Sequence, residues 1–207
     1  MLVKDNEKVL LTYLDISMSE LRGLAQKLDA KFYERAVNII LDAEKCGNRL
    51  HVTGIGKPAH VAGYIASLLS STGTSTYELH GTEAVHGSSG QVKLDDVVIT
   101  ISNSGETTEL KATVTTLKNN GAKIIAVSGN PDSWLAKAGD AFLFAGVENE
   151  GDSLNRAPRA SILAEVLVLQ GLSIILQNIK NITPQQYIKW HPGGVLGKIR
   201  ENEVAKT

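Results

Sequence analysis

Asp96-Val97-Val98-Ile99-Thr100-Ile101-Ser102, followed at once by Asn103-Ser104-Gly105-Glu106-Thr107, decides how this chain folds. The first part is a near-continuous apolar, β-branched run, the pattern of a strand buried on both faces. The hydroxyl-rich segment with its glycine ends that run, and Thr108–Asn119 reads as a helix closed by Asn120-Gly121. The same alternation extends both ways. Upstream, Arg49–Thr53 reads as a strand ending in a Gly-rich turn, Pro58–Ser70 as a helix and Thr74–Leu79 as a second strand. Downstream come a strand over Lys123–Ser128, a short helix over Ser133–Ala138 and a strand over Ala141–Ala145. A long apolar helix over Arg159–Asn178 and a short one over Pro184–Trp190 complete the series. Phe32, Ala36, Ile39, Ile40 and Ala43 recur at helical spacing before Gly47, so the first fifty residues read as helical. Strand, turn and helix in alternation predict a doubly wound α/β fold: a parallel sheet between helices, with ligands bound beyond the carboxyl ends of the strands.

Bulk composition narrows the function. With 207 residues, 43% hydrophobic and 21% charged, the chain is of ordinary globular make-up. Its 21 basic and 22 acidic side chains leave a formal charge of −1, with no dense basic cluster, so no nucleic-acid partner is expected. The lone Cys46 fits a reducing compartment and reads as a small core residue. The N-terminus lacks a secretory layout, and the most apolar stretch, Ile162–Leu176, is read as too short to cross a bilayer. A cytoplasmic location without membrane contact is the expectation.

Two loops carry the chemistry. Thr53-Gly54-Ile55-Gly56-Lys57-Pro58 leads from a strand into a helix whose N-terminus favours an anion, beside the Lys57 cation. A Walker A loop fails, because Pro58 follows the lysine. The looser dinucleotide fingerprint is met by Gly54, Gly56 and Ala59, with Glu78 about where a ribose-binding acid belongs. A sugar-phosphate cradle is the third reading, and Ser102–Thr107 supports it. Its hydroxyls and glycine at a helix start suit a phosphate monoester, whereas plain helix capping needs only one hydroxyl. A dinucleotide fold has no use for this second loop.

Ser102-Asn103-Ser104-Gly105-Glu106-Thr107 resembles the signature of SIS (sugar isomerase) domains. Together with Gly54–Lys57, Gly81–Gly87 and His191-Pro192-Gly193-Gly194, it resembles the arabinose 5-phosphate isomerases of the KpsF/GutQ group over roughly residues 35 to 200. The resemblance implies a single SIS domain over 1–207, with a five-stranded parallel sheet and an N-terminal helical extension at 1–34. It also implies interconversion of D-arabinose 5-phosphate and D-ribulose 5-phosphate without a cofactor, in a homotetramer with shared active sites. By resemblance Lys57, Glu109, Glu150 and His191 carry catalysis; Thr53, Gly54, Ser102, Asn103, Ser104 and Thr107 are expected to contact the substrate, and His86 the substrate or a neighbouring subunit.

Those residue types suit an isomerisation through a cis-enediol, which needs a base, a proton shuttle for the oxygens and a positive group near the enediolate. Glu109 lies in the first turn after the phosphate loop, where it equally suits the helix dipole. Glu150 shares its loop with Glu148 and Asp152, and spacing alone does not choose among the three. His191 precedes a Pro-Gly-Gly turn and is of a residue type suited to proton shuttling, with helix capping as the competing account. His51 and His60 read as structural, and no two histidines have i, i+4 spacing, so no metal is expected. Two features depart from the group: its nucleotide-sensing CBS modules are expected to be absent, and Arg159-Ala160-Ser161 replaces a Thr/Ser run after Ala157-Pro158. The second leaves the identity of the sugar open. The alternatives are a non-catalytic sugar-phosphate sensor and a dinucleotide-binding domain.

Overall fold

The computed structural model describes residues 2–200 and 203. Its centre is a parallel sheet of β1 (Leu50–Gly54), β2 (Thr76–Glu78), β3 (Val97–Ile101), β4 (Lys123–Ser128) and β5 (Ala141–Phe144), in the order β2-β1-β3-β4-β5. The expected strand at Thr74–Leu79 shortens to three residues because it is an edge strand, paired only with β1. β3 pairs along its whole length with β1 and β4, and every residue in it is buried. Its alternate side chains feed two cores. Val97, Ile99 and Ile101 meet α2 (Ala30–Lys45), α3 (Lys57–Ser71) and α7 (Ala160–Ile179), while Val98 meets α5 (Thr108–Asn119). Each fully buried Ile or Leu in these layers contributes about 1.5–3 kcal/mol.

The strand order reverses between β1 and β3, whose following helices, α3 and α5, cover opposite faces. The crevice between them opens at the carboxyl ends of the strands. α4 (Gly81–Ala84), not anticipated from the sequence, follows β2, and α6 (Trp134–Ala138) starts at a Ser133 cap. The expected junction of extension and core, residues 34–35, falls inside α2, whose N-terminus Asp29 caps through Phe32 N (2.8 Å). Before it, α1 (Leu2–Ala25) packs on α7.

Two expectations are corrected here. Cys46 is exposed rather than core, because it caps α2 where Gly47 (φ +75°) turns the chain away. Length does not exclude α7 as a membrane span either: it runs for 20 residues and is apolar enough. Its packing defines it instead, for it lies against α1, α2 and α3. At its far end Lys180 Nζ bonds Glu44 Oε1 (2.7 Å), the Gly73 carbonyl (3.0 Å) and Thr74 Oγ1 (2.6 Å). That knot fixes α7 and the following α8 (Pro184–Trp190) to the amino-terminal edge of the sheet.

Candidate active site

Three loops meet at the carboxyl edge of the sheet. In the first, between β1 and α3, a Cβ on Gly54 would lie 2.8 Å from the Pro58 carbonyl carbon, so only glycine fits that turn. Gly56 (φ +66°) precedes the helix and offers no side-chain cap; in the first turn of α3 Pro58 has no N–H and Ala59 N donates to the Gly56 carbonyl (3.1 Å). Lys57 is the first helical residue and is exposed. Thr53 is wholly buried, and its hydroxyl has no partner among the described residues.

The second loop joins β3 to α5. Ser102 Oγ lies 3.2 Å from Thr107 Oγ1 and accepts the Gly105 N–H at 3.1 Å, while Ser104 Oγ accepts from Glu106 N at 3.2 Å. Thr107 stands at the cap position of α5 but makes no capping bond. The hydroxyl cluster is therefore not consumed by the helix end, and the first N–H groups of α5 face the loop. Helix capping, the account that competes with anion binding, is not made by Thr107. The loop is rigidly held: the Asn103 carbonyl accepts from Gly129 N (2.9 Å) and Ser128 Oγ (3.1 Å). Glu106 closes it from below, taking Trp134 N at 2.7 Å and Lys111 Nζ at 2.5 Å, and the lysine bond holds its carboxyl below the usual carboxylate range. Glu109 follows in the first turn of α5, exposed at the mouth of this loop.

The third loop runs from β5 to α7. Of its three acids only Glu150 is buried; Glu148 is exposed, and Asp152 pairs with Arg159. Glu150 Oε2 accepts the N–H groups of Arg159 (2.6 Å) and Ser161 (3.1 Å), so its carboxylate caps α7. Lys57, His60, Val61 and Tyr64 of α3 line a cavity of about 360 Å³ with Pro158 and Ile162 from the other side. The first and third loops are thereby neighbours. His60, expected to be structural, is exposed on that cavity, whereas His51 is structural as expected: it is buried 3.5 Å from Asp96, and burial lowers its pKa.

Thr53, Gly54, Lys57, Ser102, Asn103, Ser104, Thr107, Glu109 and Glu150 thus belong to one edge of the sheet. His86 is exposed in the turn after α4. His191 is elsewhere. It ends α8, stacked on Tyr187 at 4.1 Å between ring centres, and the adjoining Trp190 packs over Gly73 at the opposite edge of the sheet.

Two supporting residues escape sequence reasoning. Glu20 of α1 accepts the backbone N–H groups of Glu148 (3.0 Å) and Asn149 (3.1 Å), pinning the Glu150 loop from a helix 128 residues earlier. Glu165 of α7 is wholly buried with both carboxyl oxygens unpartnered among the described residues, and burial, then Glu150, raises its pKa to about 8. The only signal for it was a lone acid inside an apolar helix. Among the described residues no three His, Cys, Asp or Glu side chains converge as a metal site.

Comparison with known proteins agrees with this fold. The profile of the SIS domain family matches residues 45–172. Arabinose 5-phosphate isomerase KpsF of Escherichia coli O6:H1 is 37% identical over 185 residues, 89% of this chain and 56% of its own. Arabinose 5-phosphate isomerase KdsD of Pseudomonas aeruginosa is 40% identical over 150 residues, 72% of this chain and 46% of its own. The chain therefore spans about half the length of these curated relatives. An E. coli CFT073 protein solved in complex with arabinose 5-phosphate superposes with a TM-score of 0.81 at 33% identity, covering 91% of this chain and 98% of that one.

Proposed function

The chain belongs to the SIS domain family, and we propose that it interconverts an aldose phosphate and its ketose, with D-arabinose 5-phosphate and D-ribulose 5-phosphate as the pair. One observation carries the reading: a hydroxyl-lined loop at the uncapped start of α5, with a lysine and a buried glutamate on the loops around it. The names of the relatives at 37% and 40% identity, and the sugar-phosphate complex at 33%, favour this sugar.

Ser102, Ser104, Thr107 and the open N–H groups of α5 hold the phosphate, with Asn103 shaping the loop and Thr53, Gly54 and His86 bordering the sugar. Glu150 takes the proton from C2 while the aldehyde oxygen gains one, giving the cis-enediol. The same carboxyl returns its proton to C1 as the C2 hydroxyl loses its own. Lys57 stabilises the charge on the enediolate oxygens, and Glu109 moves protons between them. Neither a redox cofactor nor a metal enters these steps. Proton NMR in D₂O with D-arabinose 5-phosphate tests the reading: ketose should form, with deuterium at the carbon beside the carbonyl. Binding that protects the fold, without turnover across a panel of aldose phosphates, would instead establish a sensor.

His191 completes this site from a second copy of the chain, because its own copy holds it at the far edge of the sheet. The exposed Val9, Leu10, Leu11, Leu14 and Met18 of α1 give such copies apolar surface to share. Glu150→Gln and His191→Ala proteins, each inactive, should recover part of the parent activity when unfolded together and refolded as mixed assemblies. No recovery would mean that His191 acts within its own chain or not at all.

A further inference from the structure

We propose that Glu165 is a positioning residue for Glu150: an un-ionised carboxylic acid behind the base, whose ionisation shuts down proton transfer at alkaline pH. The proposal rests on the isomerase reading for its catalytic consequence; the placement of Glu165 rests on its burial and on the helical turn that links it to the Ser161 N–H holding Glu150. Glu165 and Ser161 lie one helical turn apart on the buried face of α7 and are wholly buried. Neither the Glu165 oxygens nor Ser161 Oγ has a hydrogen-bond partner among the described residues. Ser161 is also the residue whose N–H holds Glu150. One short piece of helix therefore carries both the anchor of the base and a second carboxyl.

The surroundings decide which of the two is charged. Glu150 receives two N–H donors at the start of α7, both of which stabilise the anion. Glu165 receives none, and no ion pair reaches it among the described residues. Among the described residues the elements packed on α7 pair no cation with it. α1 brings Tyr13 and Ser17 toward Gly151, and Glu20, engaged with backbone N–H groups. From α2 comes Tyr33, whose hydroxyl bonds the Val168 carbonyl and whose pKa burial raises to about 12. α3 brings Lys57, His60 and Tyr64 to the cavity side of α7, with Ile162 and Val166, and Arg159 at the helix start is paired with Asp152. Burial, then the Glu150 carboxylate, pushes Glu165 up to about 8. A carboxyl raised in this way is the acid of the pair. Above that pH a second negative charge stands behind Glu150 and opposes the negative charge that passes to the substrate as it becomes the enediolate.

The test joins a catalytic profile to a direct view of the carboxyl. Parent activity at pH 9 should fall about tenfold from its value at pH 7, following one ionisation near pH 8, while Glu165→Gln stays within about twofold. Infrared difference spectra between those pH values should show one carboxylic-acid band lost in the parent and not in Glu165→Gln. In Glu150→Gln, which removes the neighbouring charge, the same band should titrate at lower pH. An alkaline limb unchanged in Glu165→Gln overturns the positioning role, and a parent with no titrating acid band overturns the pair. Should the parent turn over no aldose phosphate, the isomerase reading fails by itself. The infrared midpoint in Glu150→Gln then decides the pair, and also does so if Glu165→Gln does not fold, with an unmoved midpoint counting against it.

Discussion

Glu150→Gln should lower kcat for aldose–ketose interconversion by about 10²–10⁴-fold, the usual worth of a positioned general base. Its unfolding temperature should stay close to the parent's. Both contacts at Glu150 are N–H groups donating to one oxygen, Oε2. A glutamine carbonyl accepts the same two bonds, so the start of α7 remains capped. What disappears is the negative charge at the helix end, worth about 0.3–1 kcal/mol, and the ability to take a proton from carbon. Deuterium uptake from D₂O should fall in step with turnover, since both pass through the same proton abstraction. A variant that keeps activity within tenfold of the parent would remove Glu150 from the role of base.

The largest effect on stability is expected at Gly105, where alanine should cost about 2–5 kcal/mol and abolish phosphate binding. Its φ of +65° lies in the left-handed region, which costs an L side chain about 1–2 kcal/mol. A Cβ there would also stand 2.2 Å from Ser133 Oγ and 2.5 Å from Ser133 Cβ. Ser133 cannot retreat, because its hydroxyl bonds the Asn130 carbonyl (2.7 Å) and caps α6 through Ala136 N (3.2 Å). Overpacking of this kind costs about 1–3 kcal/mol more. Urea unfolding measures the total, with Gly90→Ala as control: nothing lies within 4 Å of that Cβ position, so its midpoint should barely move. Gly105→Ala with a parent-like midpoint and intact binding would mean that the loop is not held by its glycine.

How much of this was legible beforehand depended on whether the determining contacts are local. β3 and the loop after it were readable because burial on both faces demands an unbroken apolar run, and Val97–Ile101 supplies one. The same locality made α5 and the Gly54 turn plain. Glu20 and Glu165 were not readable. Each matters through a partner distant in sequence: the backbone of Glu148 and Asn149 for one, Glu150 across the start of α7 for the other. The HPGG motif marked His191 as unusual, but motif order along a chain does not tell which edge of a sheet a residue reaches. That edge is set by the Lys180 contacts and by Trp190 over Gly73. Cys46 and His60 were misread because a helix end and a helix first turn leave the core sooner than periodicity alone suggests.

Glu20 gives the N-terminal helix a place in the kinetics of the molecule. One carboxylate of α1 holds the N–H groups of both Glu148 and Asn149, so undocking of that helix would free the two together. Local opening of the loop that bears Glu150 is thereby coupled to a helix more than a hundred residues earlier in the chain.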